Sequence, residues 1–366
     1  MSSSSLNSVH LDVPVPHRKI IRSWTAPYSQ RSTRRALLLT ATDLSLFFVC
    51  LAAAALLANP ALKILLGIAT GFVIGRLFIL GHDACHQSFT VHRRLNTWLG
   101  RLVFLPSLTP YSLWQVGHNV VHHGYTNLKD VDFVWQPHSI QEFCALPRWR
   151  QLLERVYRSG FAPGLYYLLE MWWKRMYFPS KKQMPTRRGE FVRDGLLVTV
   201  AALTWTGTLL WIAHATQQAV ALQLFAALVI PLMTWMMMIG FVVYVHHTHV
   251  DVAWHRDKSA WAAAQPFVTT TVHLKFDHGI DAALHYIMEH TAHHVDMSIP
   301  LYRLKGVQNL LEAMLPGRIV IQKFSWAWYF DTARRCKLYD FERLCWTDFD
   351  GRRTSASLLA PRAVTT

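Results

Sequence analysis

The chain has 366 residues, 52% of them hydrophobic and only 16% charged, with a formal net charge of +15 and five cysteines. Length alone would allow two soluble domains, but long apolar stretches at this composition point to a membrane protein. Cys50, Cys85, Cys144, Cys336 and Cys345 form no CxxC pair, which argues against a disulfide framework or a thiolate metal site.

Residues 1–35 read as a polar, basic cytosolic arm: Ser2 to Ser5, then Arg18, Lys19, Arg22, Arg31, Arg34 and Arg35. No apolar core with a small-residue cleavage site follows the basic cluster, so no cleaved signal peptide is expected. The arm is expected to be solvated or to lie on anionic lipid. Residues 36–345 read as one membrane domain with spans at about 36–58, 61–80, 196–213 and 220–245, and residues 346–366 as a tail. Asn59-Pro60 is a turn signal between the first two spans, which would form a hairpin. Asp43 and Arg76 lie at similar depths below one surface; they either pair, or Arg76 snorkels to the headgroups. Residues 98–114, interrupted by Pro106 and Pro110, read as a re-entrant or interfacial hairpin. The aromatic island from Tyr166 to Phe178 suits either the headgroup layer or a packed soluble helix.

The basic residues set the orientation. Of 37 Lys and Arg, 6 lie in the arm, 15 between His82 and Arg193 and 14 after His246, the other two being Lys63 and Arg76. The short connectors at Asn59-Pro60 and His214 to Gln218 hold none, so the positive-inside rule places them outside and the rest in the cytosol. The positive charge is then a topology signal, and no nucleic-acid partner is expected. The fold class is all-α and integral to the membrane: four transmembrane helices in two hairpins with a cytosolic, histidine-rich metal-binding cap.

Histidines recur at ligand-like spacing in the expected cytosolic segments. His82 and His86 follow the second span; His118, His122 and His123 lie in WQVGHNVVHHGYTN; His246, His247 and His249 end the fourth span; His285, His290, His293 and His294 lie in HYIMEHTAHH. On an α-helix His118 and His122 share a face, so they are predicted to hold one metal while His123 reaches toward a second. The strongest candidates are His82, His86, His118, His122, His123, His247, His290, His293 and His294. Nine imidazoles exceed the four ligands of a tetrahedral zinc site and suit two ions of higher coordination. Ligand type leaves iron, zinc, copper and nickel open. Asp83 is either an orienting acid beside a ligand or a solvated turn acid.

These motifs resemble the three histidine boxes of membrane-bound fatty acid desaturases, in particular an acyl-lipid, omega-6 (delta-12)-like bacterial type. HDACHQSF resembles the first box, WQVGHNVVHHGYTN with its trailing Thr126-Asn127 the second, and HTAHH the third. VHHTHVD resembles the short motif after the last span, with His247 on the recurring ligand, and His285 matches an extra upstream histidine. Gln115, His246 and the run Val295-Asp-Met-Ser-Ile-Pro300 depart from the usual residues, which bears on substrate more than on metal binding.

The resemblance implies two iron ions (Fe2+/Fe3+) in a non-haem di-iron centre that uses O2 and two electrons to insert a cis double bond. The substrate would be a fatty acyl lipid, acyl-CoA or acyl-ACP, and the site would be shielded from water. It further implies His249, His285, His246, Asp83 and Asn127 as additional ligands or supporting groups, and a separate ferredoxin or cytochrome b5-like electron donor. Arg334, Arg335, Lys337 and Trp346 would either dock that donor or pack structurally. If the source is bacterial, the membrane would be the plasma or inner membrane. The nearest alternative is a carotenoid or other lipid hydroxylase or ketolase on the same metal chemistry. A metal transporter would instead place its ligands within the spans near the midplane.

Overall fold

The computed structural model describes residues 15–359 except 182, 183, 185, 187 and 278; Ser2 to Ser5 and the end of the expected tail lie outside the described residues. The chain forms two compact units. A membrane unit comprises Arg31–Asn119 and Gly164–Gly240, and a second unit comprises the N-terminal residues to Gln30, Val120–Pro163 and Phe241 onward.

The membrane unit is built on helices long and apolar enough to cross a bilayer. There are four in the described residues, Thr33–Leu56, Pro60–Cys85, Gly189–Ala215 and Val220–His247, the end of the fourth from Phe241 onward belonging to the second unit. The first is capped by the Ser32 hydroxyl, which accepts from Arg35 N, and the second by Asn59 Oδ1 from Leu62 N, with Pro60 in the first turn. Both devices satisfy or remove N–H groups that have no intrahelical partner. The second span runs past its expected end at 80 as far as Cys85, and so carries His82 and Asp83 on its last turn. The third begins at Gly189 instead of 196.

Small residues let the second span approach the fourth. A Cβ on Gly67 would lie 2.2 Å from Ala226 O, on Gly71 2.5 Å from Pro231 O, and on Gly75 2.3 Å from Met238 Sδ. This is a small-xxx-small stripe, the feature that brings helix backbones together in lipid. Charged groups inside the first two spans are paired. Arg76 Nη2 meets Asp43 Oδ1 at 2.7 Å, with Asp43 fully buried, so of the two readings the pair is the one formed. Lys63, also fully buried, has Nζ within 3.1 Å of Ala55 O and Leu57 O and within 2.7 Å of Gln218 Oε1 and Gln223 Oε1. It caps the carbonyls that end the first span and ties them to the start of the fourth.

The segment after the first histidine box is a helix, Arg93–Phe104, followed after Pro106 and Pro110 by Tyr111–Gln115. Asp194 on the third span accepts from Arg101 Nε at 2.8 Å and from Ser112 N at 2.9 Å, fixing the segment that leads into the second box. The aromatic island is π-helical over Tyr167–Tyr177. It buries Tyr167, Met171 and Met176 and exposes Trp173.

The second unit consists of short helices and two small sheets. Val272–Lys275 pairs in parallel with Val320–Lys323, and Leu338–Asp340 antiparallel with Cys345–Thr347. The all-α expectation is corrected to this extent: the chain is mostly helical with two two-stranded sheets. The arm also departs from a solvated segment. Arg18–Thr25 is a helix whose Ile21 and Thr25 are buried. In the C-terminal segment, Trp346 is fully buried with Nε1 donating to His249 O, Lys337 Nζ meets Arg158 O, and Arg335 Nε donates to Thr354 O. These three pack structurally, whereas Arg334 stays exposed beside Asp331.

Candidate metal centre

In the membrane unit, three imidazoles gather at the end of the second span. His82 sits on the last turn and His86 at the C-cap, their rings 4.7 Å apart. The His118 ring lies 4.5 Å from His82 and 5.1 Å from His86, stacked on Trp114 at 5.0 Å. Gln115 Nε2 and Asn119 Nδ2 both donate to Cys85 O, at 3.1 and 2.8 Å. Gln115, one of the departures from the family pattern, thus satisfies a carbonyl left open where the helix ends. Asp83 holds the Ser88 hydroxyl at 2.7 Å and so braces the turn after the box.

In the second unit, His122, His247, His290 and His294 bring ligand atoms within 4.8 Å of one another. All four are buried. His290, His293 and His294 come from one short helix, His290–Val295, and His247 from the end of the fourth span. His123 and His293 form a further pair, Nε2 to Nε2 at 3.0 Å. Gly124 is required where the second box turns away, because a Cβ there would stand 2.2 Å from Val120 O.

Hydrogen bonds on the far side of the rings settle which nitrogens face inward. The Thr126 hydroxyl donates to His122 O at 2.8 Å, so its oxygen accepts from His294 Nδ1 at 3.2 Å and leaves Nε2 as the lone-pair nitrogen. Asp132, fully buried, lies 3.1 and 3.2 Å from His122 Nδ1 through its two oxygens. A carboxylate only accepts, so His122 also keeps its Nε2 lone pair. The carbonyl of Thr270 does the same for His247 Nδ1 at 3.3 Å. Burial first, and then the neighbouring imidazoles, hold His290 and His294 well below the ordinary histidine range, which keeps them neutral as metal ligands must be.

The donor set fits a transition-metal ion, four imidazole nitrogens lying within 4.8 Å of one another. Two nitrogens at right angles on an ion with bonds of about 2.1 Å stand roughly 3.0 Å apart, against about 3.4 Å on a tetrahedral ion. His247 Nε2 and His290 Nε2 are 3.0 Å apart. His294 Nε2 is buried without a hydrogen-bond partner, a costly state for a polar atom that a metal would relieve.

The expectation that His118 and His122 share an ion is corrected. His118 joins His82 and His86, while His122 joins His247, His290 and His294. Residues Val116–His122 are π-helical, and the wider turn undoes the α-helical rule for shared faces. Of the residues expected as supporting groups, His246 stacks on His290 at 3.7 Å with Nε2 3.1 Å from Met288 Sδ. His249 accepts from Asp251 N and stacks on Trp328. Asn127, at positive φ, donates to Ala253 O and leaves Oδ1 buried without a partner. His285 is buried at positive φ, outside the imidazole clusters among the described residues. Asp132 and Thr270 were not among the expected site residues. Asp132 stands ten residues after His122 in LKDVDFVW, where only a spared acid in an aromatic stretch marks it.

Comparison with known proteins places these features in a family. The family model described as fatty acid desaturase matches residues 54–325. The chain is similar to the sn-1 oleoyl-lipid 12-desaturase of Arthrospira platensis, 29% identical over 64% of this chain and 64% of that protein, just under two thirds of its length. It is 27% identical to the sn-1 oleoyl-lipid 12-desaturase of Synechocystis sp. over 79% of this chain and 77% of the relative. It is also 27% identical to the sn-1 acyl-lipid omega-3 desaturase (ferredoxin) of Synechocystis sp., over 67% and 66% respectively.

Proposed function

The chain belongs to the fatty acid desaturase family and is an oxidoreductase of the membrane, and on that premise we propose that it inserts a cis double bond into a lipid-bound acyl chain at two histidine-held irons. The observation that carries the metal assignment is the His122, His247, His290 and His294 quartet with its inward-facing Nε2 atoms. These four would hold one iron. His82, His86 and His118 would be ligands of the second, and His123 and His293 supply two more imidazoles. The irons, with O2 and two electrons, supply the oxidising power that breaks unactivated C–H bonds. The residues of the chain do the rest. Asp132, Thr126 and the Thr270 carbonyl hold imidazole protons outward at Nδ1 of His122, His294 and His247, and burial excludes water from the rings.

The names of the relatives favour an oleoyl-type chain esterified in a lipid and desaturation of the omega-6 (delta-12) type. One relative is named for ferredoxin, which supports a separate one-electron carrier as donor. The distribution of basic residues supports a reading in which the histidine boxes and both termini are cytosolic and the spans form two hairpins of one membrane domain over residues 36–345. The relatives lend no support to a carotenoid or lipid hydroxylase or ketolase. Expression in a host that makes monounsaturated but not polyunsaturated lipids, followed by fatty-acid profiling, tests the proposal. A new double bond that disappears in His294→Ala is expected. An unchanged acyl profile alongside oxygenated carotenoid would overturn it.

A further inference from the structure

The N-terminal helix Arg18–Thr25 does two things within the second unit. Its arginines cap the third-box helix His290–Val295: Arg18 Nη2 donates to His294 O at 2.7 Å, Arg18 Nε to Val295 O at 3.1 Å, and Arg22 Nε to Val295 O at 3.2 Å. These carbonyls are among those that a helix leaves unsatisfied at its C-terminus, and guanidinium groups there also complement its dipole. The same helix forms one wall of a cleft of about 350 Å3.

Among the described residues the charged lining of that cleft has one sign. Arg18, Lys19 and Arg22 stand beside the imidazoles of His17 and His123, and no described carboxylate lines it. Asp296, an acid whose charge acts on Arg18, accepts from the Thr25 hydroxyl and from Ser298 N. The carbonyl bonds occupy two of the five N–H donors of Arg18 and one of the five of Arg22, and the exposed Lys19 ammonium makes no bond among the described residues. The walls are tied together by side-chain contacts. Trp261 Nε1 is tied to Thr126 O at 2.8 Å, and the Arg18 guanidinium lies 5.4 Å over the Phe267 ring.

We propose that this cleft binds a phosphate group of the size of a lipid headgroup. Forked and rotatable N–H donors match the several acceptor oxygens of a phosphate. The volume exceeds what inorganic phosphate alone would fill and lies in the range of small-molecule sites. The site is coupled to the metal centre through short links: Arg18 and Arg22 hold the carbonyls of His294 and Val295, and Thr126, which lines the cleft, hydrogen-bonds His294 Nδ1. A bound phosphate would therefore stiffen the helix that presents the third box. The proposal does not rest on the desaturase reading, because its test reads binding and not product.

The test uses the full chain, purified with its metals in a neutral detergent, and titrates dihexanoyl phosphatidylglycerol and inorganic phosphate by calorimetry. One binding site per chain is expected, weakened at least tenfold in Lys19→Glu, whose side chain takes no part in holding the third-box helix, and in Arg22→Gln. Binding of the lipid without competition from phosphate identifies a lipid headgroup as the source; binding of phosphate, with displacement of the lipid, identifies a free phosphate compound. Either result supports the site. Absence of binding by both probes, or equal affinity in wild type and Lys19→Glu, would overturn it.

Discussion

At the scale of residues, the chemistry of the centre rests on what stands behind each imidazole. Asp132 accepts a hydrogen bond from His122 Nδ1 and, in the same buried position, from Asn127 N at 2.9 Å and Val134 N at 3.1 Å. Asp132→Asn keeps the shape but loses the charge, and outer partners of metal-bound histidines typically contribute about 10–100-fold in metal affinity. Loss of iron to a chelator in dialysis is therefore expected to be faster by about that factor than in wild type, with the fold retained by circular dichroism; iron retention equal to wild type would contradict the role. The ligand histidines are legible in the sequence because their spacing is local. Asp132 is not, because its contact exists only once the turn after Gly124 has brought it back beside His122. The sorting of His118 from His122 is hidden for another reason: the rule relating spacing to face assumes an α-helix, and Val116–His122 is π-helical.

At the scale of elements, the four apolar helices are plain in the hydropathy pattern, but their ends and contacts are not. The second span extends to Cys85 because its polar last turn, with His82 and Asp83, is still helical, which a hydrophobicity criterion reads as an end. The pairing of Asp43 with Arg76 is foreshadowed by their equal depth. The stripe of Gly67, Gly71 and Gly75 is invisible in that sense, since an apolar helix may carry glycine on a lipid-facing side as well. Gly207 on the third span is such a case, with nothing within 4 Å of a Cβ built there. Gly71→Leu would press against Pro231 O and Thr234 Cβ, each 2.5 Å from the added Cβ. Overpacking of this kind costs about 1–3 kcal/mol, so thermal unfolding in detergent should shift down by several degrees, whereas Gly207→Leu should unfold as wild type does. Equal melting of the two variants would contradict close packing of the second and fourth spans.

At the scale of the whole molecule, the histidines come from widely separated stretches, and both units contribute them. His82, His86 and His118 belong to the membrane unit, and the quartet with His123 and His293 to the second. Membership of the desaturase family was legible because three boxes, in order and between spans, form a pattern that no single motif provides. The seating of the N-terminal helix was not: its basic residues read as a solvated arm, and only the fold shows Arg18 and Arg22 on the carbonyls of His294 and Val295. The central claim is that these imidazoles hold two irons for acyl desaturation. Metal analysis of the active, full-length protein tests it most directly. The account predicts two iron ions per chain, with desaturation lost when they are removed and restored when ferrous iron is returned. A single zinc ion per chain in protein that still forms the double bond would contradict it.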